Sequence, residues 1–210
     1  MSRAVRVASA LAFATAVLTG CGAQSRPAAP AKPWRDGGGI PASLRAGERP
    51  IGRGKRFHPP VTGAVPGVCR PTLGRRIAAH VELFGAGRVI LIATGVGTAP
   101  PRRSVVGRIT RARCFGSLVT LDPTGTVYAR RGQRLTIADL FGAWGQPLSP
   151  TRIASFTGGR VRVYVDGHIR HGSPLTVPLT DHAEIVLEIG PRVPPHPRFA
   201  FPPEPAAGTR

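Results

Sequence analysis

Apolar and polar residues alternate with a period of two in three separate segments of this chain. The segments are residues 80–84, 161–165 and 183–189, and each runs into a turn that contains glycine. A period of two is that of a β-strand with one buried face, whereas a helix repeats about every 3.6 residues. One helix is predicted at 136–145, where the apolar residues fall on one face. The chain is therefore predicted to be α+β and mostly β.

Turn residues predict how the strands are joined. Gly85-Ala86-Gly87 separates the first alternating strand from the apolar run Val89–Ala93, which predicts an N-terminal hairpin. Asp122-Pro123-Thr124-Gly125 has the residues of a type I turn and predicts a second hairpin. From Leu118 onward the predicted order of hairpin, helix, strand, turn and strand resembles a β-grasp (ubiquitin-like) arrangement. The expected fold is thus an N-terminal hairpin plus a β-grasp-like mixed sheet with one helix.

The start of the chain has the organisation of an export signal. A basic start precedes an apolar run at 7–18, which is shorter than the roughly 20 residues that a membrane-spanning helix needs. The run ends in Leu18-Thr19-Gly20-Cys21, which resembles the lipobox of bacterial lipoproteins. The resemblance implies a lipid on the thiol of Cys21, with cleavage between Gly20 and Cys21. It also implies a protein held to the extracytoplasmic face of the cell membrane by its N-terminal lipid. A plain secretory signal is the alternative.

Composition divides the rest of the chain. Residues from about 22 to 66 are rich in proline and glycine, without the apolar periodicity that could offset the entropy of ordering them. In the proline-rich tail, Phe199 and Phe201 could pack on the domain as an extended strap. The predicted organisation is a signal peptide at 1–20, a lipidated tether at 21–66, a β-hairpin subdomain at 67–116, a β-grasp-like domain at 117–190 and a tail at 191–210.

Two cysteines remain beside Cys21. Export would place Cys69 and Cys114 in an oxidising compartment, where an even pair usually forms a disulfide. On the chain-entropy view, a bridge over this separation would stabilise the fold by about 4 kcal/mol. A free pair that binds a metal or acts as a redox centre is the alternative.

The chain is strongly basic, with a formal net charge of +19. Loss of Arg3 and Arg6 with the signal peptide would lower this charge by two, to +17. Such a balance favours anionic lipid headgroups, acidic wall polymers or an envelope protein as partners. Nucleic acid is not expected, because aromatic residues are not interleaved with the basic ones and no recognition motif is present. The arginine excess also resembles the composition of high-GC actinobacteria, so part of it can reflect mutational bias.

The stretch from Cys69 to Phe201 is similar to a family of exported bacterial proteins without an established biochemical function. The matching features are Cys69, Cys114, the helix at 136–145, the strand Val163–Gly167, Pro178-Leu179, His182 and Ile189-Gly190. Family members also have a histidine-rich strand and a Leu-His-Thr-His-Asp turn. Imidazoles at i and i+2 on one strand face can share a metal ion.

This chain departs from that family at the histidines. Leu118-Val119-Thr120-Leu121-Asp122 takes the place of the double-histidine turn, and Ala78 takes the place of a strand histidine. Only His80 persists. The resemblance therefore implies that this chain has lost any site that the family's histidines form.

The remaining polar residues offer little catalytic chemistry. His80 and Glu82 share a strand face and are weak candidates for a metal site or an acid–base pair, but a solvent-facing pair is the prediction. His168 and His171 lie in a predicted turn, where binding of a metal would be adventitious. No nucleophile motif or phosphate-binding glycine loop is present, so an enzyme is not expected. No cofactor is expected either.

Several charged residues are expected to have structural roles. Asp122 and Asp166 suit turns, and Asp139 suits the cap of the helix. Glu184 and Glu188 are predicted to face outward and to pair across the sheet with arginines of the neighbouring strand, Arg160 and Arg162.

Two functions therefore remain open from the sequence. The first is a lipid-anchored binding or scaffolding module at the cell envelope. The alternative is a cell-surface protein that handles copper or zinc with a degenerate histidine site.

Overall fold

The computed structural model describes residues 50–193 and 199–202. The predicted signal peptide, cleavage site and lipidated Cys21 lie outside these residues. Residues 22–49 of the predicted tether and residues 194–198 and 203–210 of the predicted tail also lie outside them.

Eleven strands, one α-helix and a short 3-10 turn make up the described part of the chain. The strands are β1 Arg76–Gly85, β2 Arg88–Ile90, β3 Thr98–Val105, β4 Arg108–Phe115, β5 Leu118–Thr120, β6 Thr126–Arg130, β7 Leu148–Ser149, β8 Arg152–Ile153, β9 Arg162–Val165, β10 His168–Arg170 and β11 Glu184–Ile189. The α-helix, α1, is Ile137–Trp144, and the 3-10 turn is Pro174–Thr176. The protein is mostly β, as predicted.

The main sheet is mixed and has the strand order β10-β9-β11-β1-β6-β5, with β2 also paired to β1. The first long strand, β1, lies parallel to the last, β11, with His80 opposite Glu184 and Leu83 opposite Leu187. All other neighbours in this sheet are antiparallel. Because β1 lies at the centre, the ranges 67–116 and 117–190 share one sheet.

Helix α1 packs on one face of this sheet, which we call the inner face. Its apolar residues Ile137, Leu140, Phe141 and Trp144 are buried in one cluster with the inner residues of β1 and β11. The carboxylate of Asp139 accepts hydrogen bonds from the N–H and hydroxyl of Thr136, at 2.7 and 2.9 Å. Gly145 ends the helix with a φ of 77°, which favours glycine. The predicted helix and both of its ends are confirmed.

Residues 50–66 differ from the predicted tether. The N–H of Thr62 donates to the carbonyl of Trp144 at 2.9 Å, and the indole Nε1 of Trp144 donates to the carbonyl of Pro59 at 3.3 Å. Phe57 packs against Phe156, with ring centroids 4.8 Å apart. A proline-rich segment lacks apolar periodicity, but its carbonyls can still accept bonds from a helix end. Residues 50–66 are therefore part of the folded domain.

Strands β3 and β4 form a separate antiparallel pair, which we call the ribbon. Its base is fastened by the disulfide between Cys69 and Cys114, which confirms that predicted pairing. Two backbone hydrogen bonds between Arg70 and Phe115, of 3.0 and 2.7 Å, lie next to the disulfide. The sequence patterns do not predict the ribbon as a distinct element.

The described residues include no helix that is both long and apolar enough to cross a membrane.

Candidate functional site

His80 is buried on the outer face of the sheet, with 7% of its surface exposed. Its Nε2 lies 3.0 Å from the carbonyl oxygen of Thr124, so this nitrogen carries the proton and donates it. The ring of Phe199 stacks on the imidazole, with centroids 3.7 Å apart and planes 6° apart. Burial lowers the pKa of His80 to about 4, although the Thr124 bond acts in the opposite direction. The imidazole is therefore neutral at physiological pH.

The C-terminal strap that covers His80 is formed by residues 199–202. The N–H of Phe199 donates to the carboxylate of Glu184, which lies opposite His80 on β11. Phe201 contacts Phe199 and the ring of His182 edge-on, at centroid distances of 5.1 and 4.8 Å. Packing of the two phenylalanines on the domain is confirmed.

The prediction of a solvent-facing His80–Glu82 pair is wrong for His80, and Glu82 is half-buried two residues further on. An alternating pattern assigns residues to two faces, but it does not show that the second face is also covered. His168 and His171 are exposed. Among residues 50–193 and 199–202, no group of three or more histidines, cysteines, aspartates or glutamates could hold a metal ion.

Glu188 also lies on the covered outer face. The predicted pair with Arg162 is confirmed, at 3.3 Å between the guanidinium and the carboxylate. The carboxylate does not face solvent as predicted, because Glu188 has no exposed surface. Its burial is accompanied by the ion pair, as buried carboxylates usually require.

Arg76 is a buried cation that the sequence does not reveal. Its guanidinium donates to the carbonyls of Leu73, Gly116, Ser117 and Tyr128, at 2.9, 2.7, 2.9 and 3.3 Å. Burial, and then the charge of Arg130, lowers the pKa of Arg76 to about 10, so it stays charged at neutral pH. Because Gly116 and Ser117 directly follow the ribbon, Arg76 connects the ribbon's end to strand β1.

The ribbon packs on the sheet at both of its ends, through Ile109 next to the turn and Phe115 at the base. Ile109 and Phe115 are buried with Val119 and Tyr128 of the outer face, and Ala112 packs against them. The N–H of Ile109 donates to the carbonyl of Leu121 at 2.7 Å. These contacts fix the ribbon on the domain and leave its other side open to solvent.

The open side of the ribbon is basic. Arg103, Arg111 and Arg113, which we call the ribbon arginines, are exposed. Arg103 and Arg111 lie directly opposite each other across the two strands. Within the part of the chain that the structure describes, none of the three side chains has an ion pair or hydrogen bond. Residues 98–115 contain neither aspartate nor glutamate.

The other two arginines of the ribbon are engaged within the domain. Arg102 donates through Nε to the hydroxyl of Thr98 at 2.7 Å. Arg108 forms an ion pair with Asp122, and its guanidinium also donates to the hydroxyl of Tyr128 at 3.2 Å. Arg102 and Arg108 therefore stabilise the domain, whereas the ribbon arginines face solvent.

The ribbon ends in an exposed apolar tip. Val105 is 60% exposed and Val106 is fully exposed. The connecting turn has two residues with positive φ, Val106 at 47° and Gly107 at 75°. The tip and the ribbon arginines form the candidate interaction surface. The visible signal for it is the Val105-Val106-Gly107 sequence between basic residues, where Asn-Gly would be the ordinary turn.

No protein-family model matches this chain, and neither the curated proteins nor the solved structures contain a significantly similar one.

Proposed function

We propose that this protein is a lipid-anchored extracytoplasmic lipoprotein, and that its folded domain is a binding or scaffolding module of the cell envelope. The observation that carries the location is the Leu18-Thr19-Gly20-Cys21 sequence after a short apolar run. The Cys69–Cys114 disulfide supports an oxidising compartment independently.

A binding role is supported by the distribution of polar groups. The buried polar residues His80, Arg76 and Glu188 are occupied by contacts within the domain. The ribbon arginines and the apolar tip are instead presented to solvent. The buried polar groups are thus engaged within the domain, while cationic side chains are exposed. This distribution favours recognition over catalysis, so we infer that the protein is not an enzyme.

We also infer a β-grasp-like arrangement, with a different first strand from the one that the sequence suggests. The parallel neighbours β1 and β11 lie at the centre, β6 follows β1 on one side and β9 and β10 follow β11 on the other. Helix α1 packs across the inner face. Such a scaffold carries many unrelated functions, so the support for binding is the exposed surface and not the fold.

Mass spectrometry of the native protein tests the anchor. The expected N-terminal residue is Cys21 with a diacylglyceryl group on its sulfur, and a Cys21→Ser variant should lack the modification. An intact signal peptide or an unmodified Cys21 in the native protein would contradict the anchor. Crosslinking in intact envelopes then tests the binding role, which fails if neither a protein nor a wall polymer nor lipid is recovered with the domain.

Handling of copper or zinc is the alternative. It is motivated by the histidines of the similar exported family, of which His80 remains here. The stacking of Phe199 and the bond from Nε2 to Thr124 favour a structural role for this histidine instead. Equilibrium dialysis with each metal separates the two, because a metal-handling protein should bind an ion that a His80→Ala variant does not.

A further inference from the structure

We propose that the open side and tip of the ribbon form a docking surface for an anionic phospholipid bilayer. The three ribbon arginines would contact headgroup phosphates while Val105 and Val106 enter the interface. The inference rests on the proposed envelope location, and it names the partner and the surface that contacts it.

The charges of the ribbon indicate an anionic partner. Like charges directly opposite each other across two strands are destabilising, and Arg103 and Arg111 have this relationship. Arg113, two positions after Arg111 on the same strand, is exposed as well. With no carboxylate in residues 98–115, the counter-charge for this face has to come from outside the ribbon. Guanidinium groups bind phosphate oxygens in a bidentate manner, which suits a headgroup surface.

The basic character continues toward the base of the ribbon. Arg130 donates to the carbonyls of Val68, Phe115 and Gly116, at 3.3 to 3.5 Å. Its pKa is lowered by burial and then by the charge of Arg70. This side of the domain therefore concentrates cations instead of alternating them with carboxylates.

The tip indicates that the partner has an apolar layer. Val106 has a φ of 47°, a conformation that a β-branched residue adopts only as an outlier. The domain covers none of the surface of Val106, since this residue is fully exposed. Its type and its conformation therefore contribute nothing favourable to the fold, and such outliers point to function. An apolar pair that projects beyond arginines matches the depth profile of a bilayer, in which phosphates lie outside the acyl chains.

A lipid bilayer accounts for both the ribbon arginines and the exposed apolar tip. A soluble acidic polymer would engage the arginines, but it would leave the strained, exposed valine unexplained. The ribbon is also held in place before it binds, by the disulfide at its base and by the bond from Ile109 to Leu121. A surface that is already ordered loses less conformational entropy on docking.

Vesicle sedimentation tests the proposal with the full chain carrying Cys21→Ser, which removes the site of lipid attachment. The vesicles are phosphatidylglycerol mixed with phosphatidylcholine, and phosphatidylcholine alone is the comparison. We expect binding to the anionic vesicles that weakens as salt is raised. The apolar signal segment gives a background that is common to all variants.

Two variants divide the site into its charged and apolar parts. Replacing Arg103, Arg111 and Arg113 by glutamine should weaken binding to anionic vesicles on the order of thirtyfold or more. The matched control replaces three other exposed arginines, Arg53, Arg134 and Arg160, by glutamine and removes the same charge. It should weaken binding only about twofold to threefold, through the lower net charge.

The apolar part is tested by Val106→Asn. Asparagine is tolerated in the left-handed conformation, so this variant should fold at least as well as the natural chain and still bind vesicles about threefold to fivefold more weakly. This variant keeps the test decisive even if the triple substitution were to fold poorly.

Three vesicle results would overturn the proposal. They are equal weakening by the two triple variants, undiminished binding of the ribbon triple variant, and equal binding to vesicles without phosphatidylglycerol. Binding to soluble poly(glycerol phosphate) without binding to anionic vesicles would also overturn it, in favour of a wall polymer. Because Cys21 is already replaced, these outcomes are independent of whether the native protein is lipidated.

Discussion

The main sheet and the ribbon are stabilised in different ways. The sheet buries apolar residues on its inner face against α1, and the ribbon and the strap cover parts of its outer face. The ribbon buries Thr98, Ala99 and Phe115 at its base and Ile109 near its turn, and a disulfide fastens the base. A segment attached in this way can keep residues that burial would not select. This difference in attachment is consistent with the exposed basic and apolar residues of the ribbon.

The largest effect should come from breaking the covalent attachment of the ribbon. Replacing both Cys69 and Cys114 by alanine should lower the free energy of unfolding by about 4 kcal/mol, because the unfolded chain regains loop entropy. Urea denaturation measures this change. Reduced natural protein is the control, and its stability should match that of the variant. A loss below about 1 kcal/mol would mean that packing alone holds the ribbon.

The next effect concerns Arg76, which joins the ribbon's end to the sheet. Substitution by methionine leaves four buried carbonyls without their donor and should lower the free energy of unfolding by about 3 kcal/mol. The neighbouring Arg75 is exposed, so Arg75→Met is the control and should change stability little. Similar losses in both variants would remove the special role of Arg76.

Acid should weaken the covered outer face of the sheet through His80. The pKa of His80 is lowered to about 4 in the folded protein from 6.5, so the unfolded chain binds the proton more readily between these values. The stability therefore falls as the pH decreases from about 7 to about 4, by up to roughly 3 kcal/mol for this residue. Urea unfolding across this pH range measures the slope. A His80→Gln variant should have a flatter profile, and an unchanged profile would contradict this account.

The smallest effect should be a gain in stability at the ribbon's tip. Val106→Asn relieves a left-handed β-branched residue and should raise the free energy of unfolding by about 1 kcal/mol. Val105 has ordinary negative φ, so Val105→Asn is the control and should give no gain. A loss of stability in Val106→Asn would show that the valine contributes to the fold. Thermal unfolding is the measurement.

Local sequence patterns predicted the elements that depend only on residues close together in the sequence. Thr136, Asp139 and Gly145 mark the helix because capping and glycine ends depend on neighbours in sequence. The strands around Val163 and Ile185 were visible because alternation follows from one buried face. The pairing of Cys69 with Cys114 needed only the parity of the cysteines and an oxidising compartment.

The long-range features could not be predicted in this way. The parallel pairing of β1 with β11 joins residues about a hundred positions apart, and nothing local to His80 indicates Glu184 as its neighbour. The burial of His80 depends on Phe199, and that of Arg76 on carbonyls around Ser117. A charged or polar residue in an alternating strand is read as exposed unless its distant cover is known.

The docking of residues 50–66 on the helix end also shortens the distance over which the domain can act. If the chain is anchored at Cys21 as proposed, 28 residues separate the anchor from residue 50, whereas the predicted tether would place 45 between the anchor and the domain. Their greatest possible span is then roughly 100 Å instead of roughly 150 Å. One domain within a hemisphere of that radius corresponds to a local concentration on the order of a millimolar. A partner in the same envelope could thus be bound for much of the time even with an affinity too weak to detect in dilute solution.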